Sequence, residues 1–157
     1  MLNPDRIFPA DPAVRSIAKR LFERVEKLPL ICPHGHTMPE WFSENQNFND
    51  PAQLLIVPDH YVLRMLVSQG LDLNALGVSA NDGRPHETDG RVIWRLFAEN
   101  YYLFRSTPVR VWFDHTLETL FGVTDRLSGE NSDAIYDTIS ECLESDNFKP
   151  RALYERF

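Results

Sequence analysis

The chain has 157 residues, of which 43% are hydrophobic and 25% charged, and its formal net charge is −7 at pH 7. These values suit one soluble globular domain, and an acidic balance without a Lys/Arg cluster argues against binding to nucleic acid or to an anionic membrane. No apolar run reaches the ~20 residues of a membrane span, and the N-terminus lacks the pattern of a secretory signal. We therefore expect a cytoplasmic protein whose two cysteines, Cys32 and Cys142, are reduced.

Amphipathic helices are predicted along most of the chain. The first begins at Asp11, a suitable N-cap, and Pro12, which fits the first helical position, and its apolar stripe continues to Leu28. Residues 77–90 are rich in Gly, Asp and Asn and predict an exposed loop. Further helices are predicted over 51–56, 58–70, 92–104, 106–122, 132–144 and from residue 150 onwards. The fold class is therefore mainly α, and the aromatic residues of 94–113 are expected in its core.

One segment, Leu30–Cys32, has the short apolar pattern of a buried strand. A single strand cannot satisfy its backbone groups without a paired neighbour. Either this segment is not a strand, or its partners lie in sequence outside this chain. An unpaired strand also invites self-association, so we expect a homo-oligomer.

Directly after this segment, His34 and His36 flank Gly35. Residues two apart in an extended segment face the same side, so the two imidazoles could share a metal ion or contact one substrate oxygen. The alternative is that both histidines are exposed to solvent or cap local backbone. The Cys/His spacing does not match a zinc finger, and the absence of a Gly-rich phosphate loop argues against a nucleotide cofactor.

A second group of polar residues begins at Asp59. On a helix, His60, Tyr61 and Arg64 stand three and four positions apart and share one face. An imidazole, a phenol and a guanidinium together suit an anionic polyhydroxylated ligand, because arginine grips a carboxylate while the other two relay protons. The competing interpretation is a solvated polar face with Asp59 as N-cap, and on these residues alone it is the better one.

Four motifs in order resemble the uronate isomerase family. They are the His-x-His after the apolar run, Asp59-His-Tyr-Val-Leu-Arg-Met65 before Gly70, Trp112-Phe-Asp-His115 leading to Phe-Gly-Val123, and Asp146-Asn-Phe148 before a short helix. The resemblance implies the N-terminal segment of a (β/α)8 TIM-type barrel of the amidohydrolase type. Its parts would be an N-terminal helix over residues 1–28, the first barrel strand with the His-x-His over 29–36, and a helical insertion subdomain over 37–157.

The resemblance also implies an activity, the interconversion of D-glucuronate with D-fructuronate and of D-galacturonate with D-tagaturonate. His60 and Tyr61 would be catalytic, and Arg64, His34 and His36 would bind substrate. Zinc, held by His34 and His36, is the one cofactor that the family suggests. A full barrel takes ~250 residues, so the isolated chain is expected to be inactive. A stand-alone helical interaction module or a small metal-binding module derived from the family is the alternative.

Overall fold

The computed structural model describes residues 2–29, 31, 34–35 and 37–156. It divides into two compact units, Met1–Gly35 and His36–Phe157, which are described separately. The first unit contains one helix, α1 (Pro12–Val25), which begins as predicted with Asp11 accepting a hydrogen bond from the Val14 N–H at 2.9 Å. It ends three residues before Leu28, whose N–H bonds to the Val25 carbonyl in a tighter turn.

The second unit is a bundle of helices. The helices are α2 (Pro39–Glu44), α3 (Pro51–Leu55), α4 (His60–Ser68), α5 (Gly90–Glu99), α6 (Pro108–Phe121), α7 (Ser132–Leu143) and α8 (Pro150–Arg156). The structure confirms the predicted helices, although their C-terminal ends differ by one to five residues. No helix was predicted for α2 or for a short 3₁₀ turn, Asp146–Phe148.

The mainly α fold class is confirmed, because the described part of the chain is helical and contains no strand. Of the predicted strand, Leu30 and Cys32 lie outside the described residues, and so does His36. Ile31 between them is 95% exposed. The strand therefore stays a prediction. None of the described helices is long and apolar enough to cross a membrane.

Side-chain caps begin four helices of the second unit. The caps of α3, α4, α5 and α6 are Asp50, Asp59, Asp89 and Thr107, each of which accepts a hydrogen bond from a backbone N–H of the first turn. These N–H groups have no partner within the helix, so the capping side chains supply the hydrogen-bond acceptors that they lack. The predicted N-cap at Asp59 is therefore confirmed, whereas the caps at Asp50 and Asp89 were not predicted.

The core of the second unit centres on aromatic residues from α5 onwards. The predicted helix over 92–104 is α5 followed by a 3₁₀ turn, Tyr101–Phe104, which starts where Asn100 donates its side-chain amide to the Leu96 carbonyl at 2.9 Å. Residues three apart eclipse in a 3₁₀ turn, so Tyr101 and Phe104 both point inwards. The aromatic side chains exposed by 1% or less are Trp94, Phe97, Tyr101, Phe104 and Phe113.

Polar groups in this core are satisfied by one another. The Trp94 indole donates to the Ser132 carbonyl at 2.9 Å, and the Tyr101 hydroxyl donates to Asp114 at 2.8 Å. Arg110 holds the second oxygen of Asp114 at 2.8 Å. Burial, followed by the hydrogen bond to Asp114, raises the pKa of Tyr101 well above its usual range. The first of these bonds joins α5 to α7, and the second joins the 3₁₀ turn Tyr101–Phe104 to α6.

Replacing Gly90 with alanine should lower the free energy of unfolding by about 1–3 kcal/mol, in spite of alanine's better helix propensity. A Cβ on this buried residue would lie 2.3 Å from Oδ1 of Asp50, which must stay in place to cap α3. Gly129→Ala is the matched control, because its nearest atom is a side-chain carbon of the exposed Glu99 at 3.0 Å. Urea unfolding followed by circular dichroism gives the free energy of unfolding of both variants. Equal unfolding midpoints for Gly90→Ala and Gly129→Ala would contradict the close approach of Gly90 to Asp50.

Candidate functional site

The polar residues around Asp59 lie at the start of α4. Asp59 accepts the Tyr61 N–H at 2.8 Å through its side chain, which begins the helix at His60. The inner face of α4 is buried, with Val62 fully covered and Leu63 8% exposed. The apolar spacing therefore fixes which face of α4 packs on the core and which face carries the polar residues.

His60, Tyr61 and Arg64 form a stack on the outer face of α4. The centroids of the His60 and Tyr61 rings are 4.4 Å apart at an interplanar angle of 32°. The Arg64 guanidinium carbon lies 4.7 Å from the centroid of the Tyr61 ring, within the range of a cation–π contact. Tyr61 is 44% exposed, and His60 and Arg64 are exposed as well. An imidazole, a phenol and a guanidinium are thus exposed together on one face of α4.

The second predicted pair, His34 and His36, is described in part. His34 is exposed, and His36 lies outside the described residues. Protein zinc sites use three or four protein ligands. The described residues contain no group of three or more His, Cys, Asp or Glu side chains that could hold a metal ion. The described part of this chain therefore does not fit a complete zinc site.

An apolar groove of about 450 Å³ lies beside the start of α4. Thr37, which directly follows the His-x-His, and Asp59, which directly precedes His60, both line it. Trp41 and Trp112 contribute aromatic walls. The groove is therefore lined by one sequence neighbour of each predicted site motif, Thr37 and Asp59.

His115 also lines this groove. It stands three positions after Trp112 on α6, so the two share a helix face. His86 is exposed, as expected for the loop over residues 77–90. Burial raises the pKa of the Cys142 thiol, which makes it a poorer nucleophile.

Comparison with known proteins identifies one family over nearly the whole chain. The sequence profile described as glucuronate isomerase matches residues 13–157. A uronate isomerase from Brucella canis is 60% identical over 99% of this chain and 34% of its own length. One from Rhizobium meliloti is 57% identical over 100% of this chain and 34% of its own length. The chain thus spans about a third of the length of the curated relatives it matches.

Two solved structures have the same fold in the matched region. The crystal structure of glucuronate isomerase from Caulobacter crescentus has a TM-score of 0.91 and 49% identity, and the match covers 99% of this chain and 32% of that one. The uronate isomerase from Thermotoga maritima has a TM-score of 0.71 and 24% identity, over 92% of this chain and 29% of that one. The second likeness shows the fold alone.

If the stack on α4 serves a ligand rather than the fold, Tyr61→Phe should change the free energy of unfolding by less than about 0.5 kcal/mol. Tyr101→Phe is the matched control, because it removes the same hydroxyl from a buried residue that donates to Asp114. Its expected cost is about 1–2 kcal/mol. Urea unfolding of the 157-residue chain gives the change in free energy for both variants. An equal loss for Tyr61→Phe and Tyr101→Phe would show that the Tyr61 hydroxyl stabilises the fold.

Proposed function

The chain belongs to the glucuronate isomerase family, of whose proteins it is an N-terminal portion, and we propose on this premise that it supplies part of the active site of a uronate isomerase. The reaction is the interconversion of D-glucuronate with D-fructuronate and of D-galacturonate with D-tagaturonate. The observation that carries the proposal is the exposed stack of His60, Tyr61 and Arg64 on α4.

The chemistry of the reaction explains why these three side chains suit it. A proton moves from C2 to C1 of the sugar while the carbonyl moves from C1 to C2, through an enediol, so no external oxidant or reductant is needed. The step requires a base near C2, an acid near the carbonyl oxygen and a fixed carboxylate. We assign the proton transfers to His60 and Tyr61. Arg64 carries the charge that a uronate carboxylate needs, and it also restrains the Tyr61 ring.

His34 and His36 are assigned to the sugar's reactive oxygens and to zinc. Two imidazoles supply two of the three or four protein ligands that a zinc site needs, so further ligands are required to complete it. The support for this assignment is the His-x-His spacing in the sequence.

The complete protein is assigned a (β/α)8 barrel of the amidohydrolase type, a cytoplasmic location and a homo-oligomeric state. A barrel takes ~250 residues, and the chain spans about a third of its relatives, so the length left over is sufficient for one. The net charge of −7 gives no basic surface for nucleic acid, which supports a small-molecule substrate.

A second candidate function is a stand-alone interaction module. The observation in its favour is that unit His36–Phe157 has a closed aromatic core of its own and its groove is lined by apolar side chains from several helices. Such a unit could fold and bind a partner without a barrel. It would then lack isomerase activity in any longer form.

The first test compares isomerase activity in two proteins, the 157-residue chain and the longer protein that contains it. With D-glucuronate as substrate, we expect D-fructuronate from the longer protein and none from the 157-residue chain, because a barrel-type site gathers residues from several strand ends. A longer protein that folds and converts neither uronate would contradict the proposal and favour the interaction module.

In the longer protein, His60→Ala and Tyr61→Phe should each lower kcat by about 10²–10⁴-fold, the usual contribution of a general acid or base. Each should change Tm by less than Tyr101→Phe does, since both side chains are exposed in this unit. Val67→Ala, at another exposed position of α4, is the control that leaves kcat unchanged. Losses of kcat that track losses of stability across the variants would remove the catalytic assignment.

A further inference from the structure

We propose that Asp59 is a positioning residue for the isomerase reaction. By capping α4, its carboxylate holds the first helical turn, and with it His60 and Tyr61, in the arrangement that the chemistry needs. The inference rests on the proposed function, because that function assigns proton transfer to those two side chains. It adds a residue that acts through the helix and does not touch the substrate.

Asp59 is bonded to both sides of the turn that it begins. Its Oδ1 accepts the Tyr61 N–H at 2.8 Å, and its carbonyl accepts the N–H groups of Val62 and Leu63 at 3.1 and 3.0 Å. Its own N–H donates to the Ile56 carbonyl at 3.1 Å. Because Ile56 and Val62 are fully buried, Asp59 ties the exposed start of α4 to the core.

This tie matters because of where the reactive side chains stand. His60 and Tyr61 are the first two residues of α4, the part of a helix whose N–H groups have no partner within the helix. The His60 and Tyr61 rings contact each other, and the Arg64 guanidinium lies against the Tyr61 ring. Because both rings belong to the first turn, their position follows the backbone of that turn, which the Asp59 carboxylate holds.

Asp59 also lines the apolar groove, together with Pro58 and Trp112, and is half-buried there. A rigid turn at the edge of this groove keeps the exposed imidazole and phenol at a fixed place relative to it.

The chain contains a matched cap that carries no reactive residue. Asp89 begins α5 in the same way, accepting the Arg91 N–H at 2.8 Å, and its carbonyl accepts the Ile93 N–H at 3.2 Å. The two caps have the same residue type and the same bond length. They differ in the residues that follow, because only the turn after Asp59 carries the proposed reactive side chains His60 and Tyr61. Asp89→Ala is therefore the control for a loss of helix capping alone.

The test uses three variants of the longer protein that contains this segment, with kcat, KM and Tm measured on D-glucuronate. Asp59→Ala should lower kcat about tenfold to a hundredfold, the cost of a small misplacement of reacting groups, and leave KM nearly unchanged. Asp59→Asn should keep kcat within about threefold of the wild type, because an asparagine oxygen also caps. Asp89→Ala should lower Tm as much as Asp59→Ala does and leave kcat unchanged.

Four other results would contradict the proposed role of Asp59 or the proposed function. Equal kcat values for Asp59→Ala and Asp89→Ala would reduce Asp59 to a structural cap. A kcat for Asp59→Asn as low as that for Asp59→Ala would assign the effect to the carboxylate charge and overturn positioning by capping. An inactive wild-type protein would overturn the proposed function instead. Amide hydrogen exchange at Tyr61 in the 157-residue chain, unchanged by Asp59→Ala, would show separately that Asp59 does not hold the turn.

Discussion

The structure of the second unit depends on the burial of one aromatic cluster around α5. Trp94 and Phe97 are fully buried, and α3, α7 and the 3₁₀ turn Tyr101–Phe104 all pack against this helix. The Phe113 ring brings α6 to the same cluster, 5.0 Å from Phe97 between ring centroids. This core closes on the inner face of α4, so His60, Tyr61 and Arg64 lie on the opposite, exposed face of the helix.

Much of this fold could be predicted from the sequence, since its helix signals are local. Asp11 and Asp59 mark helix starts through a side-chain oxygen placed two or three residues before an N–H group, and such a bond needs no tertiary context. α2 was missed because it is six residues long and its end is held from far along the chain. Arg151 donates to the Phe42 carbonyl at 2.8 Å, and Asn45 takes a left-handed conformation at the cap. No pattern within residues 39–44 could show that.

The candidate site was predictable to the extent that it lies within one helix. The three- and four-residue spacing of His60, Tyr61 and Arg64 gives their shared face directly. The groove beside them was not predictable, because it is formed by α2, α3, α6 and α8, whose residues are far apart in the sequence. Its aromatic walls, such as Trp112, have the same spacing as core residues. Whether a tryptophan lines a groove or fills a core is decided by which helices pack around it.

We propose that α4 of this unit presents His60 and Tyr61 to the sugar of a uronate isomerase. A crystal structure of the longer protein with D-glucuronate bound tests this proposal. We predict that the imidazole and the phenol lie within hydrogen-bond reach, about 2.6–3.2 Å, of oxygens at the C1–C2 end of the sugar. A uronate bound with both side chains beyond the reach of a bridging water would contradict the account.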